Sequence, residues 1–402
     1  MSHDTFAGFV REQGRAGIRN KVLLLPIDRY SNQIAWQIEQ IVPEVTTFPC
    51  AGDMGRHAAD RERLFAVTCG MATHPNVHSV ILLGVKPDFN YPEMQSERLL
   101  QAIRASGRPV ESIMVNEAGG MGKVILQGQT SARRLVREAS RRQREPVPLR
   151  QLAIGIKCGV SDSTSGISGN PALGAAIDRL IAAGGAAVFS ETTEIIGAEH
   201  LLAQRAADGS VRDAILDMAK RCEQRALSVG QDIRSINPIP SNIKAGITTL
   251  EEKSLGSIAK GGSTPLVNAL EYATSLPGPG LYFMDGWMAT NSLLPTLASI
   301  GCQIVVLQGG GGDMPYDPPI PVVNAGLVSP AFFMTGNPNL ARDTPIGIDF
   351  DSSGILSGAT DVATTGGHLL QALIETASGQ KTWGETLRYQ ENLEIWFDGP
   401  FF

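Results

Sequence analysis

One stretch decides the fold of this chain: residues 152–171 read LAIGIKCGVSDSTSGISGNP. Its first five residues, Leu152 to Ile156, form an apolar run of the length of a buried strand. From Lys157 onward, glycines and short polar side chains take over, which is typical of a loop. Open α/β sheets bind their ligands in the loops at the carboxyl ends of their strands. The stretch therefore predicts a parallel strand and a ligand-binding loop, although a plain connecting loop has a similar composition.

The same alternation of apolar runs and amphipathic segments continues along the chain and predicts an α/β fold. Apolar runs of strand length that alternate with helical patterns favour parallel sheets covered by helices. The strand candidates are Val22 to Ile27, Val80 to Val85, Ile113 to Val115, Leu152 to Ile156, Ala186 to Phe189, Leu281 to Met284, Ile304 to Leu307 and Ala331 to Met334. The helix candidates are Gln33 to Ile41, Ser96 to Ala105, Ala132 to Arg144, Ala172 to Ala183 and Val211 to Val229.

The sequence indicates a domain boundary near residue 147. Between Gln143 and Leu149 a charged helical pattern gives way to Pro146 and Pro148 before the next strand begins. We predict two doubly wound, mostly parallel, Rossmann-like domains. The first is an amino-terminal α/β domain over residues 1–147, and the second is a carboxyl-terminal catalytic α/β domain over residues 148–402.

The composition limits the classes of partner. Of 402 residues, 43% are hydrophobic and 18% are charged, which is enough apolar material for buried cores. The formal net charge of −6 argues against a nucleic-acid partner, because phosphate backbones bind basic surfaces. No apolar run approaches the roughly 20 residues of a membrane span, and the amino terminus lacks a signal-peptide pattern. Five cysteines without a CxxC pair argue against a zinc ribbon. We expect a cytoplasmic protein with a small-molecule substrate.

Two further polar blocks resemble the loop after Ile156. Ser190-Glu191-Thr192-Thr193-Glu194 follows the strand candidate that ends at Phe189, and residues 241–262 carry Asn242, Lys253 and Lys260. The two lysines are seven residues apart, nearly two helical turns, so both ammonium groups project from one face if the segment is helical. Three separate segments thus offer carboxylates, amines, amides and hydroxyls.

These three blocks, in this order, resemble the large catalytic region of the altronate/galactarate dehydratase family, which also includes the large subunit of sulfolactate sulfo-lyase. The resemblance extends over nearly the whole chain. It includes Gly8 to Asn20, which reads GFVREQGRAGIRN, the segment His74-Pro75-Asn76-Val77, and Gly280-Leu281-Tyr282-Phe283-Met284-Asp285. Motifs of this length and order are far more specific than a short glycine fingerprint.

The resemblance implies a lyase that eliminates water from a small hydroxy or sugar acid to give a 2-oxo acid. Such a reaction needs a base for the weakly acidic hydrogen beside the carboxylate, positive charge near the enediolate, and an acid for the leaving group. A divalent ion of iron, manganese or magnesium would supply that charge. We therefore expect a metal-assisted carbon–oxygen lyase that forms a homo-oligomer, with or without a separate small subunit.

The three blocks and two neighbouring strand ends supply the candidate groups. The run Gln308 to Asp313 follows a strand, and its glycine N–H groups are candidates for binding an anion. The catalytic candidates are Lys253, Glu191, Glu194 and Asp162; the substrate-binding candidates are Ser161, Ser165, Asn170, Asn242, Lys260 and Asp285; and the metal candidates are Cys158 and Glu191.

Three alternatives stay open. The nearest is a carbon–sulfur lyase that releases sulfite. A diverged, non-catalytic subunit that binds an organic acid is another, because Val160 stands where the family commonly has a second glycine and Gly84-Val85-Lys86 where it commonly has Gly-Cys-Glu. A nucleotide-dependent oxidoreductase is the third, and against it no strand is followed by a suitably placed G-x-G-x-x-G motif.

Overall fold

The computed structural model of the chain describes residues 4–313, 328–387 and 394–399. The strands are β1 Thr5–Gly8, β2 Lys21–Pro26, β3 Val45–Thr47, β4 Val77–Gly84, β5 Val110–Met114, β6 Glu145–Pro148, β7 Ala153–Cys158, β8 Ala186–Phe189, β9 Leu266–Leu270, β10 Gly280–Met284, β11 Ile304–Gln308, β12 Ala331–Thr335 and β13 Phe350–Asp351. The helices are α1 Ser31–Ile41, α2 Ala58–Ala72, α3 Ser96–Ala105, α4 Val115–Ala118, α5 Met121–Ala139, α6 Asn170–Ala182, α7 Glu199–Gln204, α8 Gly209–Ser228, α9 Pro240–Lys244, α10 Leu250–Ile258, α11 Thr290–Ser299, α12 Pro338–Asp343, α13 Val362–Ala377 and α14 Trp383–Leu387.

Seven strands form the larger sheet, in the order β13-β12-β11-β7-β8-β10-β9, and every paired neighbour is parallel. From β7 at the centre, the chain continues through β8, β9 and β10 on one side of the sheet. It then crosses to β11, β12 and β13 on the other side. The loops after β7 and β11 therefore leave the sheet in the crevice where the strand order reverses, which is the usual ligand position in such sheets. The stretch 152–171 occupies this position, with β7 ending at Cys158.

Four strands form the smaller sheet, in the order β3-β2-β4-β5, and they too are parallel. Both faces of each sheet are buried. In β4, Val80 and Leu82 pack into one core cluster, whereas Ile81 and Leu83 pack into another on the opposite face. Strands buried on both faces read as continuous apolar runs, which is why the sequence revealed them. The predicted α/β class is confirmed.

A short antiparallel ribbon joins the two parts of the chain. Strand β1 pairs with β6, with Thr5 opposite Pro148 and Gly8 opposite Glu145. Prolines are tolerated here because a two-stranded ribbon has free edges that need no N–H donor. The predicted division between residues 147 and 148 falls inside β6 and stays a prediction.

Residues 394–399 form a strap that contacts both parts of the molecule. The Trp396 N–H donates to the Tyr272 hydroxyl at 3.2 Å, and the Asp398 N–H donates to Asp60 Oδ1 at 2.9 Å. Asp398 also forms an ion pair with Arg225 at 3.0 Å. Asp60 belongs to α2 and Arg225 to α8, so the strap links a helix of the smaller sheet to a helix of the larger one.

Several elements differ from the sequence-based expectation. The helix predicted over 132–144 begins earlier, at Met121, and ends at Ala139. Beyond that end, Arg144 Nη2 donates to the Ile18 carbonyl at 2.8 Å, and the same guanidinium bonds to Ala7 of β1. Strands β3, β9 and β13 were missed because they are short or lie at sheet edges. Within the described ranges, none of the helices has both the length and the apolar character that crossing a membrane requires.

Candidate active site

The carboxyl ends of β7, β8 and β11 bring the predicted polar segments to one edge of the larger sheet. Cys158 ends β7, and Glu191 lies two residues after the end of β8. Gln308 ends β11 directly opposite Cys158. Helix α10 and the 3₁₀ turn Ala259–Gly261 lie over this edge and contribute the two predicted lysines.

Two glutamates and three lysines form a buried charge cluster there, which we define as Lys157, Glu191, Glu194, Lys253 and Lys260. Lys157 Nζ lies 2.7 Å from Glu191 Oε1, and Lys260 Nζ lies 2.8 Å from Glu194 Oε2 and 3.4 Å from Glu191 Oε2. Lys253 Nζ lies 3.6 Å from Glu194 Oε1. These five side chains are only 1–7% exposed. Charges this deeply buried are retained only when they are paired and hydrogen-bonded.

The two carboxyl groups of the charge cluster differ in their environments. Burial raises the pKa of Glu191, and the negative charge of Glu194 raises it further, although Lys157 and Lys260 act in the opposite direction. Burial alone would raise the pKa of Glu194, but the charges of Lys260, Lys253 and Lys157 outweigh it and lower that pKa. The same two glutamates raise the pKa of Lys260 against its own burial. Neighbouring titratable groups whose pKa values are driven apart are typical of acid–base sites.

The backbone at Glu191 is strained. Its φ is +79° and its ψ is +79°, a left-handed conformation that non-glycine residues rarely adopt and that costs on the order of 1–3 kcal/mol. This conformation aims the carboxylate back at β7, where Glu191 Oε2 accepts a hydrogen bond from the Cys158 N–H at 2.7 Å. Such strain persists only where the surrounding contacts enforce it, and it is concentrated at functional sites.

Asp162 is the centre of a second group of polar contacts beside the charge cluster. Its Oδ1 accepts from the Thr164 hydroxyl at 2.6 Å and from the Ser165 N–H at 3.2 Å. Its Oδ2 accepts from Asn337 Nδ2 at 3.0 Å. A Cβ on Gly310 would lie 2.0 Å from Asp162 Oδ1, so only glycine allows the loop after β11 to approach this carboxylate.

Amide and hydroxyl side chains link the charge cluster to the contacts around Asp162. Asn242 Nδ2 donates to the Ser161 carbonyl at 2.8 Å, while Asn242 Oδ1 accepts from Lys253 Nζ at 3.3 Å. The Ser161 hydroxyl lies 3.0 Å from Cys158 Sγ. Burial raises the pKa of the Cys158 thiol to about 12, so this sulfur is a neutral thiol at neutral pH.

Several buried amides around the site have unused hydrogen-bonding atoms. Among the described residues, Gln308 Oε1 and Nε2, Asn170 Oδ1 and Asn237 Nδ2 have no partner. Gln308 is fully buried, and Asn170 and Asn237 are 2% and 3% exposed. An unpaired buried polar atom costs about 1–3 kcal/mol, so these atoms are candidates for contacts with a ligand.

The structure brings together ten of the predicted site residues and separates one. Asp285 lies apart: it accepts a hydrogen bond from the Thr192 hydroxyl, and its Oδ2 lies 3.7 Å from Arg221. Sequence reasoning missed Lys157, Asn237 and Gln308. The residues brought together are Cys158, Ser161, Asp162, Ser165, Asn170, Glu191, Glu194, Asn242, Lys253 and Lys260.

Three of the four glycine N–H groups in the run after β11 are already hydrogen-bonded within the protein and do not offer the predicted anion-binding donors. Gly309 N donates to the Met334 carbonyl at 3.1 Å, and Gly310 N and Gly311 N both donate to the Val160 carbonyl at 3.0 Å. These glycines instead allow close packing, because a Cβ on Gly309 would lie 3.3 Å from the Cα of Gly159. For these three donors the prediction was wrong, because sequence alone does not reveal that neighbouring carbonyls accept their hydrogen bonds.

The donor set does not fit a divalent metal ion. Within the ranges that the structure describes, no group of three or more His, Cys, Asp or Glu side chains is arranged to hold one. Both carboxylate oxygens of Glu191 already accept hydrogen bonds, and two ammonium groups lie within 3.4 Å of them. A divalent cation at Glu191 and Cys158 would be repelled by these lysines.

Comparisons with known proteins agree on one family. Residues 149–400 match "D-galactarate/Altronate dehydratase, C-terminal", and residues 8–140 match "D-galactarate dehydratase/Altronate hydrolase, second domain". The chain is 34% identical over 391 residues to the (2R)-sulfolactate sulfo-lyase subunit beta of Chromohalobacter salexigens, covering 96% of both chains. It is 32% identical to an altronate dehydratase of Bacillus subtilis over 94% of this chain and 74% of that protein. It is 31% identical to a galactarate dehydratase of Escherichia coli over 77% of this chain and 58% of that protein.

Proposed function

Because the chain belongs to the D-galactarate/altronate dehydratase family, we propose that it is a carbon–oxygen lyase that removes water from a small hydroxy acid to give a 2-oxo acid. The observation that carries this proposal is the buried charge cluster at the carboxyl edge of the larger sheet. It combines carboxyl groups with perturbed pKa values and buried ammonium groups, which are the two kinds of group that the reaction needs.

We assign the removal of the proton beside the substrate carboxylate to Glu191. Its raised pKa makes it a better base than an ordinary glutamate, and its strained backbone fixes the direction of its carboxylate. The positive charges of Lys157 and Lys260 lie within 3.4 Å of Glu191, where they would stabilise the enediolate that forms. No step of this scheme passes through a metal ion.

We assign protonation of the leaving hydroxyl to Lys253. Its ammonium group is held by Asn237 Oδ1 at 3.0 Å and Asn242 Oδ1 at 3.3 Å. The departing hydroxide takes a proton from this ammonium group as the carbon–oxygen bond breaks, and the product enol then becomes the 2-oxo acid. The unpaired amide atoms of Asn170, Asn237 and Gln308 are the candidates for holding the substrate hydroxyls and carboxylate.

A carbon–sulfur elimination is the second candidate, and one observation favours it. The match to the sulfo-lyase subunit covers 96% of that relative, whereas the matched dehydratases are longer than the region they share with this chain. In this case sulfite leaves in place of hydroxide and needs less help from an acid. Because the relative's name includes "subunit beta", we also propose that a separate partner subunit is needed for full turnover.

The test is an activity assay on the protein isolated from its own cells, so that any partner subunit accompanies it. The protein is incubated with galactarate, altronate and (2R)-sulfolactate while 2-oxo acid and sulfite are followed separately, with and without a chelator. We expect 2-oxo acid without sulfite from a sugar acid, and Glu191→Gln should lower turnover by about 10²–10⁴-fold. Glu375→Gln, on an exposed turn of α13, is the matched control and should retain full activity. Sulfite release would favour the second candidate, and full activity of Glu191→Gln would overturn the assignment.

A further inference from the structure

The segment that carries the proposed base is held by the end of β10 and the loop after it. The Thr192 N–H donates to the Gly286 carbonyl at 3.1 Å, and the Gly286 N–H donates back to the Thr192 hydroxyl oxygen at 3.1 Å. The Thr192 hydroxyl itself donates to Asp285 Oδ1. On the other side of the base, the Ser190 hydroxyl donates to the Met284 carbonyl at 2.8 Å. We call these four hydrogen bonds the clamp.

The clamp brings the loops after two neighbouring strands into direct contact. Strands β8 and β10 are parallel partners, so the loops that follow them leave the same edge of the sheet. A Cβ on Gly286 would lie 2.3 Å from Ser190 Oγ, so the missing side chain at Gly286 lets the loops approach this closely. Ser190, Thr192 and Asp285 are all buried. Hydrogen bonds in such an environment are stronger than those of a solvated turn.

The two residues of the clamp that follow β8 lie directly before and after Glu191. The left-handed backbone of Glu191 persists only where surrounding contacts enforce it. With Ser190 and Thr192 hydrogen-bonded on either side, this backbone relaxes only if the clamp breaks. A relaxed backbone would turn the carboxylate away from β7, where Lys157 Nζ and the Cys158 N–H each lie 2.7 Å from one of its oxygens.

The side chains of the clamp lie outside the charge cluster. Within the described part of the chain, no hydrogen bond or ion pair joins the side chain of Ser190, Thr192 or Asp285 to one of the five charged groups. Asp285 Oδ2 instead lies 3.7 Å from Arg221 of α8. Any influence of the clamp on the reaction therefore passes through the backbone of Glu191.

We propose that Ser190 and Thr192 are positioning residues, which hold Glu191 in its left-handed conformation and thereby set the position of the proposed base. This inference rests on the proposed function, because it assumes that Glu191 removes the proton. The clamp then raises the rate of the reaction without contacting the substrate.

The test replaces Thr192 with valine, which has nearly the same shape but no hydroxyl group. We expect Thr192→Val to lower kcat by about 100-fold, the scale of a 1 Å misplacement of a catalytic group. KM should change by less than about twofold, because the lost contacts are not made to the substrate. Thr192→Ser keeps the hydroxyl and should recover most of the lost kcat. The protein is isolated from its own cells, and the substrate is the sugar acid that gives 2-oxo acid in the assay above.

The pH dependence of kcat/KM gives a second readout, because its acid limb follows the pKa of the base in the free enzyme. The groups that face this carboxylate are Glu194 of the same loop, Lys157 and Cys158 of β7, and Lys260 of the turn after α10. Burial and the charge of Glu194 outweigh the lysines and raise the pKa of Glu191. In Thr192→Val the carboxylate leaves this environment, so its pKa should fall and the acid limb should move to lower pH. A substitution that only destabilised the fold would not move it.

The double variant Glu191→Gln/Thr192→Val shows whether Thr192 acts through Glu191. We expect it to be no slower than Glu191→Gln alone, because the base that Thr192 positions is already missing. The matched control is Thr376→Val, which removes another buried hydroxyl, one that donates to the Ala372 carbonyl within α13 at 3.0 Å. This control should retain full kcat. If circular dichroism shows that Thr192→Val does not fold, Ser190→Ala removes one hydrogen bond of the clamp and should change kcat, KM and the acid limb in the same directions.

Four results would each overturn the proposal: normal kcat in Thr192→Val, no recovery in Thr192→Ser, an unmoved acid limb, or a further loss of turnover in the double variant. None of them overturns the proposed function. That function fails if Glu191→Gln alone turns over normally, which is measured in the same series.

Discussion

The charge cluster is a closed set of ion pairs, whereas the neighbouring chamber, a cavity of about 890 Å³ between the carboxyl ends of the two sheets, has a largely aromatic wall. In the charge cluster every ammonium group lies within 3.6 Å of a carboxylate, and the side chains are almost inaccessible. The chamber wall instead includes the partly exposed aromatic side chains of Trp36, Trp287 and Trp396. Buried ion pairs hold a fixed geometry and are costly to break, whereas partly exposed side chains at a cavity wall contribute less to stability. The contrast predicts that substitutions in the charge cluster lower both stability and turnover, and that substitutions at the chamber wall have small effects.

The largest expected effect is that of Lys260→Met. This change leaves two buried carboxylates without their shared partner, and breaking a buried pair costs about 3–5 kcal/mol. We expect the free energy of unfolding, measured with urea, to fall by this amount, and turnover to be lost. Lys220→Met, at an exposed position of α8, should change stability by less than about 0.5 kcal/mol. If Lys260→Met were as stable as the natural protein, the charge cluster would not be the tightly paired network described above.

Gly310→Ala should have a smaller effect that is confined to the active site. The new methyl group would meet Asp162 Oδ1 at 2.0 Å and push this carboxylate away from Thr164 and Ser165. We expect turnover to fall by roughly 100-fold, the scale of a 1 Å misplacement of a catalytic group. Gly122→Ala in α5, where the added methyl group meets nothing within 4 Å, is the control. Turnover should be unchanged in Gly122→Ala, and normal turnover in Gly310→Ala would show that the position of Asp162 does not matter for the reaction.

Asp398→Ala tests the strap, whose Trp396 and Phe397 line the chamber. The side chain forms ion pairs with Arg225 at 3.0 Å and Arg63 at 3.5 Å, and it is 39% exposed. Exposed ion pairs contribute about 0–1 kcal/mol, so we expect the free energy of unfolding, measured with urea, to fall by at most about 1 kcal/mol. Turnover at saturating substrate should be unchanged, and a loss of turnover would show that the strap also acts on the charge cluster.

The smallest expected effect is a pH dependence of substrate binding that comes from Asp285, a residue of the chamber wall. Burial raises the pKa of Asp285, against the Thr192 hydrogen bond and the charges of Arg221 and Arg225, while Glu271 acts with burial. As the pH falls, Asp285 therefore takes up its proton earlier than an ordinary aspartate, and the chamber wall loses one negative charge. Galactarate, which is an anion, should then bind more tightly, by less than about twofold, because solvent and salt screen a single charge at an open cavity wall.

Asp285→Asn separates this effect from every other group that gains a proton in the same range. Those groups are present in both proteins, so the difference between their two pH profiles belongs to Asp285. Fluorescence titrations at a series of pH values measure it. Identical profiles would show that Asp285 does not influence the ligand.

The sequence predicts the fold well where burial is complete. Strands β4 and β7 are buried on both faces and read as apolar runs, so each can be recognised from its own residues without knowing which strands lie beside it. Strand β9 was missed because Val267 and Asn268 are exposed at the edge of the sheet, so its pattern is mixed. The ribbon of β1 and β6 was missed because its pairing partner lies about 140 residues away and prolines argue against a strand.

The sequence predicts most residues of the candidate site, but it does not predict which of their charges lie beside one another. Glu191, Glu194 and Lys260 stand out as charged residues after apolar strands or within a polar block. Lys157 does not, because it belongs to a buried strand and looks like part of its polar end.

The strap has a consequence for the order in which the molecule folds. Its contact with Asp60 closes a loop of 338 residues, the kind of long-range contact whose entropy cost must be met before it contributes any stability. The two parallel sheets, built from closer neighbours in sequence, should form first. During refolding, the environment of Trp396 should therefore change in the slowest phase, after the helical circular dichroism signal has recovered. The chamber, whose wall includes Trp396 and Phe397 of the strap, would then be the last part of the molecule to close.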